Sequence, residues 1–237
     1  MHVARLMSMF SAVSVLLTGI GDAQYETPRD DMPREARYLT AGAMIRDFAP
    51  RSGFTGGDSL AITYNTWMPM IGYHHGLVDV QLGYTRYTLR GAACSAVFFG
   101  VTGSNELPLV RGEPASLVVP VMLSVDYTKS ESGGPGRRNF IVGSLGLGTG
   151  LKARMLSPGM EFAAHAAAAY HYSFEGFDTG NGSSFAVTGE ATLLLRRIPI
   201  ADGVVLGYRF RHQAWTLDDG RLNYRVTTHG PYIGVLL

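Results

Sequence analysis

From Ala36 onward the chain alternates apolar and polar side chains with a period of two, which is the pattern of strands with unlike faces. In Leu77–Leu89, Val78, Val80, Leu82 and Tyr84 fall on one face, and Asp79, Gln81, Gly83 and Thr85 on the other. Val118–Thr128 sets Val119, Val121, Leu123, Val125 and Tyr127 against Ser124, Asp126 and Thr128. Phe140–Arg154 sets Ile141, Leu145, Leu147 and Leu151 against Ser144, Gly146, Gly148, Gly150, Lys152 and Arg154. In Gly203–Trp215, Val204, Leu206, Tyr208 and Phe210 oppose Gly207, Arg209, Arg211 and Gln213. Segments of this kind begin near Ala36, Ser59, Leu77, Ser95, Leu117, Phe140, Met160, Phe185, Gly203 and Leu222, so the chain is predicted to be all-β. Glu161–Tyr170 is rich in alanine and has helix propensity. Because Tyr170, Tyr172 and Phe174 continue the alternation against His171 and Ser173, it too is read as strand.

Clusters of glycine, asparagine and aspartate at 51–58, 130–137, 178–184 and 218–220 separate the runs as loops or tight turns. A soluble sandwich and a membrane barrel both accept such strands. Runs of ~10–15 residues suit a tilted membrane strand better than the ~5–6 of a soluble one. Arginines and glycines opposite an aliphatic face suit a polar lumen with lipid outside. The expected fold is therefore a transmembrane, antiparallel, up-and-down β-barrel of 8 or 10 strands, even numbers closing a bacterial barrel. Tyr84 and Tyr87, Tyr170 and Tyr172, and Tyr208 and Phe210 are expected in its interfacial aromatic girdles. The last run, Pro231–Leu237, places Ile233, Val235 and Leu237 on one face. It resembles the carboxy-terminal signal of bacterial outer-membrane barrels, though it closes on leucine rather than an aromatic residue. That resemblance implies a bacterial outer-membrane destination, reached through the periplasm with the barrel assembly machinery as partner.

The first residues read as an export signal. Arg5 precedes the mostly apolar Leu6–Ile20, and Gly21 and Ala23 put small residues at the −3 and −1 positions of a cleavage site before Gln24. The apolar stretch is too short to cross ~30 Å of hydrocarbon as a helix. The expected organisation is a signal peptide at 1–23, a charged, proline-bearing lead-in at 24–35 and the barrel at 36–237. The single cysteine, Cys94, lies far from the cleavage point and supports no acyl anchor there.

Composition narrows the chemistry. The formal net charge of +1 gives no basic surface for nucleic acid. One cysteine excludes a disulfide framework and a multi-cysteine zinc site. There is no Gly-x-Ser-x-Gly elbow, His-Glu-x-x-His or phosphate loop, and no metal or cofactor is expected. His74 and His75 are adjacent on a strand, so they face opposite ways and suit a rim or loop better than a shared metal. Asp79, Asp126, Glu190, Lys152, Arg154, Arg196, Arg209 and Arg211 are expected to pair inside the barrel.

Two places carry candidate catalytic types. Val204–Trp215, followed by Asp218-Asp-Gly-Arg-Leu-Asn223 and the terminal strand, resembles the PagL-like lipid A deacylases, which are outer-membrane acyloxyacyl hydrolase barrels. Ser184-Phe-Ala-Val-Thr-Gly189 and the Leu-Leu-Leu-Arg-Arg run behind it add to a likeness covering Met160–Leu237. The resemblance implies a catalytic histidine at His212, on the lipid-facing side. It places the serine nucleophile where Ala214 stands and an asparagine where Trp215 stands. Alanine has no hydroxyl to deprotonate. Asp218 and Asp219 fall too early for the acidic partner, and Asn223 has no charge. The second place is His171-Tyr-Ser173, whose histidine and serine share an inward face, with Asn181 and Gly182 as candidate oxyanion donors and Glu175 or Glu190 as orienting acid.

Three functions follow from these readings. The favoured one is a non-enzymatic outer-membrane barrel with a structural, anchoring or interaction role in contact with lipopolysaccharide. The alternatives are a lipid A ester hydrolase using His171 and Ser173 and a small-solute channel. A barrel of this size is filled by side chains, which argues against the channel.

Overall fold

The computed structural model of the chain describes residues 36–55, 61–112, 114–133, 139–175, 181–198, 201–220 and 222–237. The expected signal peptide at 1–23 and lead-in at 24–35 lie outside the described residues. The strands are β1 (Arg37–Pro50), β2 (Tyr64–His75), β3 (Val78–Leu89), β4 (Ala92–Arg111), β5 (Ala115–Ser130), β6 (Phe140–Ser157), β7 (Met160–Glu175), β8 (Asn181–Ile198), β9 (Ala201–Leu217) and β10 (Leu222–Leu236). Each pairs antiparallel with its neighbours in sequence, and β1 closes on β10. Of the two strand numbers expected, the molecule has ten. The alanine-rich segment is strand β7, paired on both sides.

Two strand starts differ from the sequence reading. β2 begins at Tyr64 rather than near Ser59: its ladder with β1 reaches only Phe48↔Tyr64, and the last residues of β1, Ala49 and Pro50, pair with β10 alone. β8 begins at Asn181 rather than Phe185. The turn-prone Asn181–Ser184 is drawn into register with Phe174–His171 of β7, so long-range pairing overrides local preference.

Both ends of the barrel sequence sit at one rim, where the Leu237 N–H donates to the Arg37 carbonyl at 2.9 Å. The connections at that rim are short, including the Pro158-Gly159 turn. The opposite rim carries the longer connections, 51–63 and 131–139, together with the tight Arg90-Gly91 turn. Both residues of that turn have positive φ, 53° and 81°, which matches the right-handed twist of the strands it joins.

The parity read from sequence holds in β3, β5, β6 and β9. Trp67 (60% exposed), Leu147 (68%) and Tyr170 (64%) stand on the outside, as do Ile233, Val235 and Leu237. Tyr87, expected in an interfacial girdle with Tyr84, lies at an odd offset from it and is buried inside the barrel. Trp215, where the resemblance places an asparagine, also faces inward and is 1% exposed.

Candidate functional site

At the loop rim the inward positions of six strands are aromatic and meet in one cluster. Phe48 stacks on Tyr64 at 5.4 Å and on Tyr224 at 5.0 Å, and takes Phe140 edge-on at 5.0 Å. Phe140 meets Trp215 at 5.4 Å, and Tyr64 stacks on Tyr87 at 4.1 Å. Leu217, Val142, Ile62 and Leu222 fill the gaps. Each ring pair adds about 0.5–1.5 kcal/mol beyond area burial. The cluster is a packed lid across the lumen.

Below it lies a layer of buried polar side chains. The Trp215 Nε1–H donates to Ser144 Oγ at 3.4 Å, Ser144 meets Ser173 at 2.8 Å, and Ser173 donates to Ser184 at 3.1 Å. Gln213 Nε2 donates to Ser184 at 3.0 Å and accepts from Arg211 at 2.9 Å. Arg211 also donates to Asp126. His171 Nε2 lies 2.8 Å from Ser124 Oγ and 3.3 Å from Asp126 Oδ2. Glycine at 146 makes room for the ring: a Cβ there would stand 2.3 Å from His171 Cδ2.

This arrangement separates the candidate pair. His171 and Ser173 share the inward face, as expected, but each has other partners. A serine–histidine–acid relay needs its acid on one ring nitrogen and its nucleophile on the other. Here Ser124 and Asp126 compete for the same Nε2, and Nδ1 has no partner. Glu190 faces Arg209, not His171. Asn181 and Gly182 are paired with Phe174 and Ser173 in the β7–β8 ladder. Glu175 lies in β7, and its side chain is outside the described residues. His171, 1% exposed, and Ser173, 0%, are sealed from both water and lipid.

The half of the lumen toward the short-turn rim is ionic. Arg209 donates to Glu190 at 2.8 Å, approaches Asp79 at 3.4 Å and lies over the Tyr232 ring at 5.3 Å. His74 and His165 stand 3.9 and 3.8 Å from Asp79 and Glu190. Lys152 pairs with Glu106, Arg154 with Glu161 at 3.3 Å, and Arg196 with Glu161 at 3.3 Å. The charges expected to pair inside do so. His74 and His75 end β2 at the rim, facing inward and outward respectively. Sequence reading missed Arg46, Glu106 and Glu161. Arg46 had a signal in its parity with Met44 and Phe48, which points it inward.

His212 faces outward, and its Nδ1 lies 2.9 Å from Thr227 Oγ1 on β10. Tyr208, on the same face, bonds to His229 Nδ1 at 2.7 Å. Tyr208 and Phe210 sit mid-strand rather than at a rim, which removes them from the expected girdle. Among the described residues no group of three His, Cys, Asp or Glu side chains is placed to hold a metal ion.

No protein-family model matches the chain, and no curated protein does. Among solved structures it is similar to Neisserial surface protein A at 14% identity and TM-score 0.32, covering 85% of this chain and 97% of that one. It is also similar to the outer membrane protease OmpT from Escherichia coli at 7% identity and TM-score 0.34, covering 91% and 99%. A third is the outer membrane protein OprG from Pseudomonas aeruginosa, at 8% identity and TM-score 0.30, covering 86% and 94%. The fold described above rests on the closed ladder of this chain's own strands, not on these likenesses.

Proposed function

We propose that this protein is a non-enzymatic bacterial outer-membrane barrel with an anchoring or interaction role. On this reading its wall lies among lipopolysaccharide and phospholipid, and its loops meet the outside. The single observation that carries it is the filled lumen: an aromatic lid at the loop rim and interlocking ion pairs beneath it. A lumen packed in this way supports neither free passage of solutes nor a buried reaction. The apolar outer face supports the membrane setting, because water gives such a face no partner. The terminal strand with Ile233, Val235 and Leu237 outward supports recognition by the barrel assembly machinery. The likeness to lipid A deacylases remains as a resemblance in β8–β10. At the nucleophile position stands Ala214, and the neighbouring hydroxyl that His212 does reach is Thr227.

Expression in a bacterium with uniform lipid A tests the reading. The expected results are unchanged lipid A mass spectra, recovery in the outer-membrane fraction and no discrete conductance steps in planar bilayers. Deacylated lipid A that disappears in Ser173→Ala would replace this reading with the hydrolase. Stepwise openings would replace it with the channel.

A further inference from the structure

Inside the barrel, among the described residues, Arg46, Lys152, Arg154, Arg196, Arg209 and Arg211 face Asp79, Glu106, Asp126, Glu161 and Glu190, one carboxylate fewer than the cations. The unmatched cation is Arg46. Only 2% exposed, it donates from Nε to Tyr64 Oη at 3.1 Å and from Nη1 to Thr228 Oγ1 at 3.3 Å, and has no acidic partner. Its Nη2 is buried without a partner, and so is the Nε of Arg211.

Arg46 and Arg211 both line one small, partly enclosed cavity in the lumen, and Arg211 is held from outside it by Asp126. The cavity's other walls are Arg209, Gln81, Thr228, Met44, Met70 and Phe98, and no carboxylate is among them. The Arg46 and Arg211 guanidinium carbons lie 5.7 and 5.3 Å from the centre of the Phe98 ring. Thr228 accepts from Arg46, which leaves its own O–H to donate. Arginine N–H groups and the Thr228 O–H therefore border a pocket whose remaining walls are two thioethers, the Phe98 ring and the Gln81 amide. Burial away from bulk water strengthens the interaction of these cations with any charge held there.

We propose that this cavity binds one small monovalent anion of the halide class through Arg46, Arg211 and the Thr228 hydroxyl. A water molecule can satisfy the orphaned N–H groups, but it leaves the Arg46 charge buried and unmatched, the more costly half of the problem. The cavity volume of about 10 Å³ is that of a single water-sized particle, which excludes sulfate, phosphate and organic carboxylates. The ion acts as the missing sixth counter-charge of the lumen, and this holds wherever the barrel resides.

Bromide is the probe, because its anomalous X-ray scattering marks its position. Crystals of the full barrel grown in sodium bromide should show an anomalous peak in the cavity. In detergent, heat unfolding in chloride should be displaced to higher temperature than in gluconate of equal ionic strength, with a saturable concentration dependence. At tenfold over its dissociation constant the ion should shift the folded-to-unfolded ratio about tenfold. Arg46→Met should lose both the peak and the halide response, and Arg86→Met, on the outer wall, should keep them. Absence of the peak in the wild-type cavity, or an equal halide response in Arg46→Met, overturns the proposal. If Arg46→Met does not fold, the wild-type peak decides alone.

Discussion

His212 and Trp215 stand three residues apart on β9 and look in opposite directions, so each takes its role from parity rather than from residue type. Trp215 is the largest side chain buried in the lid and donates to Ser144. Trp215→Ala removes a full ring from a packed layer and leaves Ser144 with Ser173 as its remaining partner, at an expected cost of about 3–5 kcal/mol. Denaturant unfolding should show it, whereas His212→Ala on the outer wall should change the midpoint little. A second residue-scale expectation concerns Glu131, just past β5. It takes a hydrogen bond from Lys129 at 3.0 Å and accepts the Ser95 N–H at 2.7 Å. The Lys129 bond foremost, with Ser95 adding to it, holds this carboxyl below the usual carboxylate range. A lowered pKa means the carboxylate steadies its loop fully above the ordinary glutamate range and loses that effect as pH falls through the lowered value. Protease cleavage within 131–139 should therefore rise on acidification in the wild type. In Glu131→Gln it should already be raised at neutral pH and nearly independent of pH.

Strand by strand, the sequence showed the wall well and the filling poorly. Alternation is a local signal, and it correctly turned Val204, Leu206, Tyr208 and Phe210 outward and Arg209 and Arg211 inward. The convergence of Phe48, Tyr64, Phe140, Trp215 and Tyr224 in one lid depends on register between strands far apart in sequence, which no single run contains. The His171–Ser173 spacing suggested a pair for the same reason that it fails as one. Sharing a face is readable from parity, but Ser124 and Asp126 arrive from β5, two strands away. The wall also has a break that the sequence hinted at with a proline. β2 and β3 pair only over Met70–His75 and Val78–Gly83, and the ladder stops at Pro69, which has no N–H to give. Beyond it, Thr85 Oγ1 donates to the Trp67 carbonyl at 2.6 Å and the Tyr64–Tyr87 stack spans the gap inside. Amides on the facing edges of Tyr64–Met68 and Tyr84–Leu89 should exchange with solvent deuterium faster than those of β8 and β9, which pair along nearly their whole length. Pro69→Val should slow that exchange by restoring a donor. Uniform protection around the barrel would rule the break out.

For the whole molecule, that break bears on where the membrane can lie. An open strand edge is not tolerated against hydrocarbon, so in the membrane setting proposed above the unpaired part of β2 and β3 would sit at or above the headgroup level. Trp67 and Tyr84 flank its start on the outer wall, and Arg86 follows beyond Tyr84. That sequence of aromatic, then charged positions is the one expected where hydrocarbon gives way to the polar interface. On that proposal the apolar band would run from there toward the short-turn rim and include Leu147, mid-strand on β6 and 68% exposed. A charge at that position separates a membrane wall from a soluble one. Leu147→Arg should destabilise a bilayer-embedded barrel by about 2–4 kcal/mol, against about 0–1 kcal/mol for a charge near the interface. Folding into lipid vesicles, followed by the gel shift between unheated and boiled samples, measures this directly. The wild type should run as a compact, heat-modifiable species, Leu147→Arg should show a reduced folded fraction, and Thr88→Arg near the loop rim should stay close to wild type. If Leu147→Arg folds as well as the wild type, the outer face is not meeting lipid. The filled lumen would then belong to a barrel in some other setting.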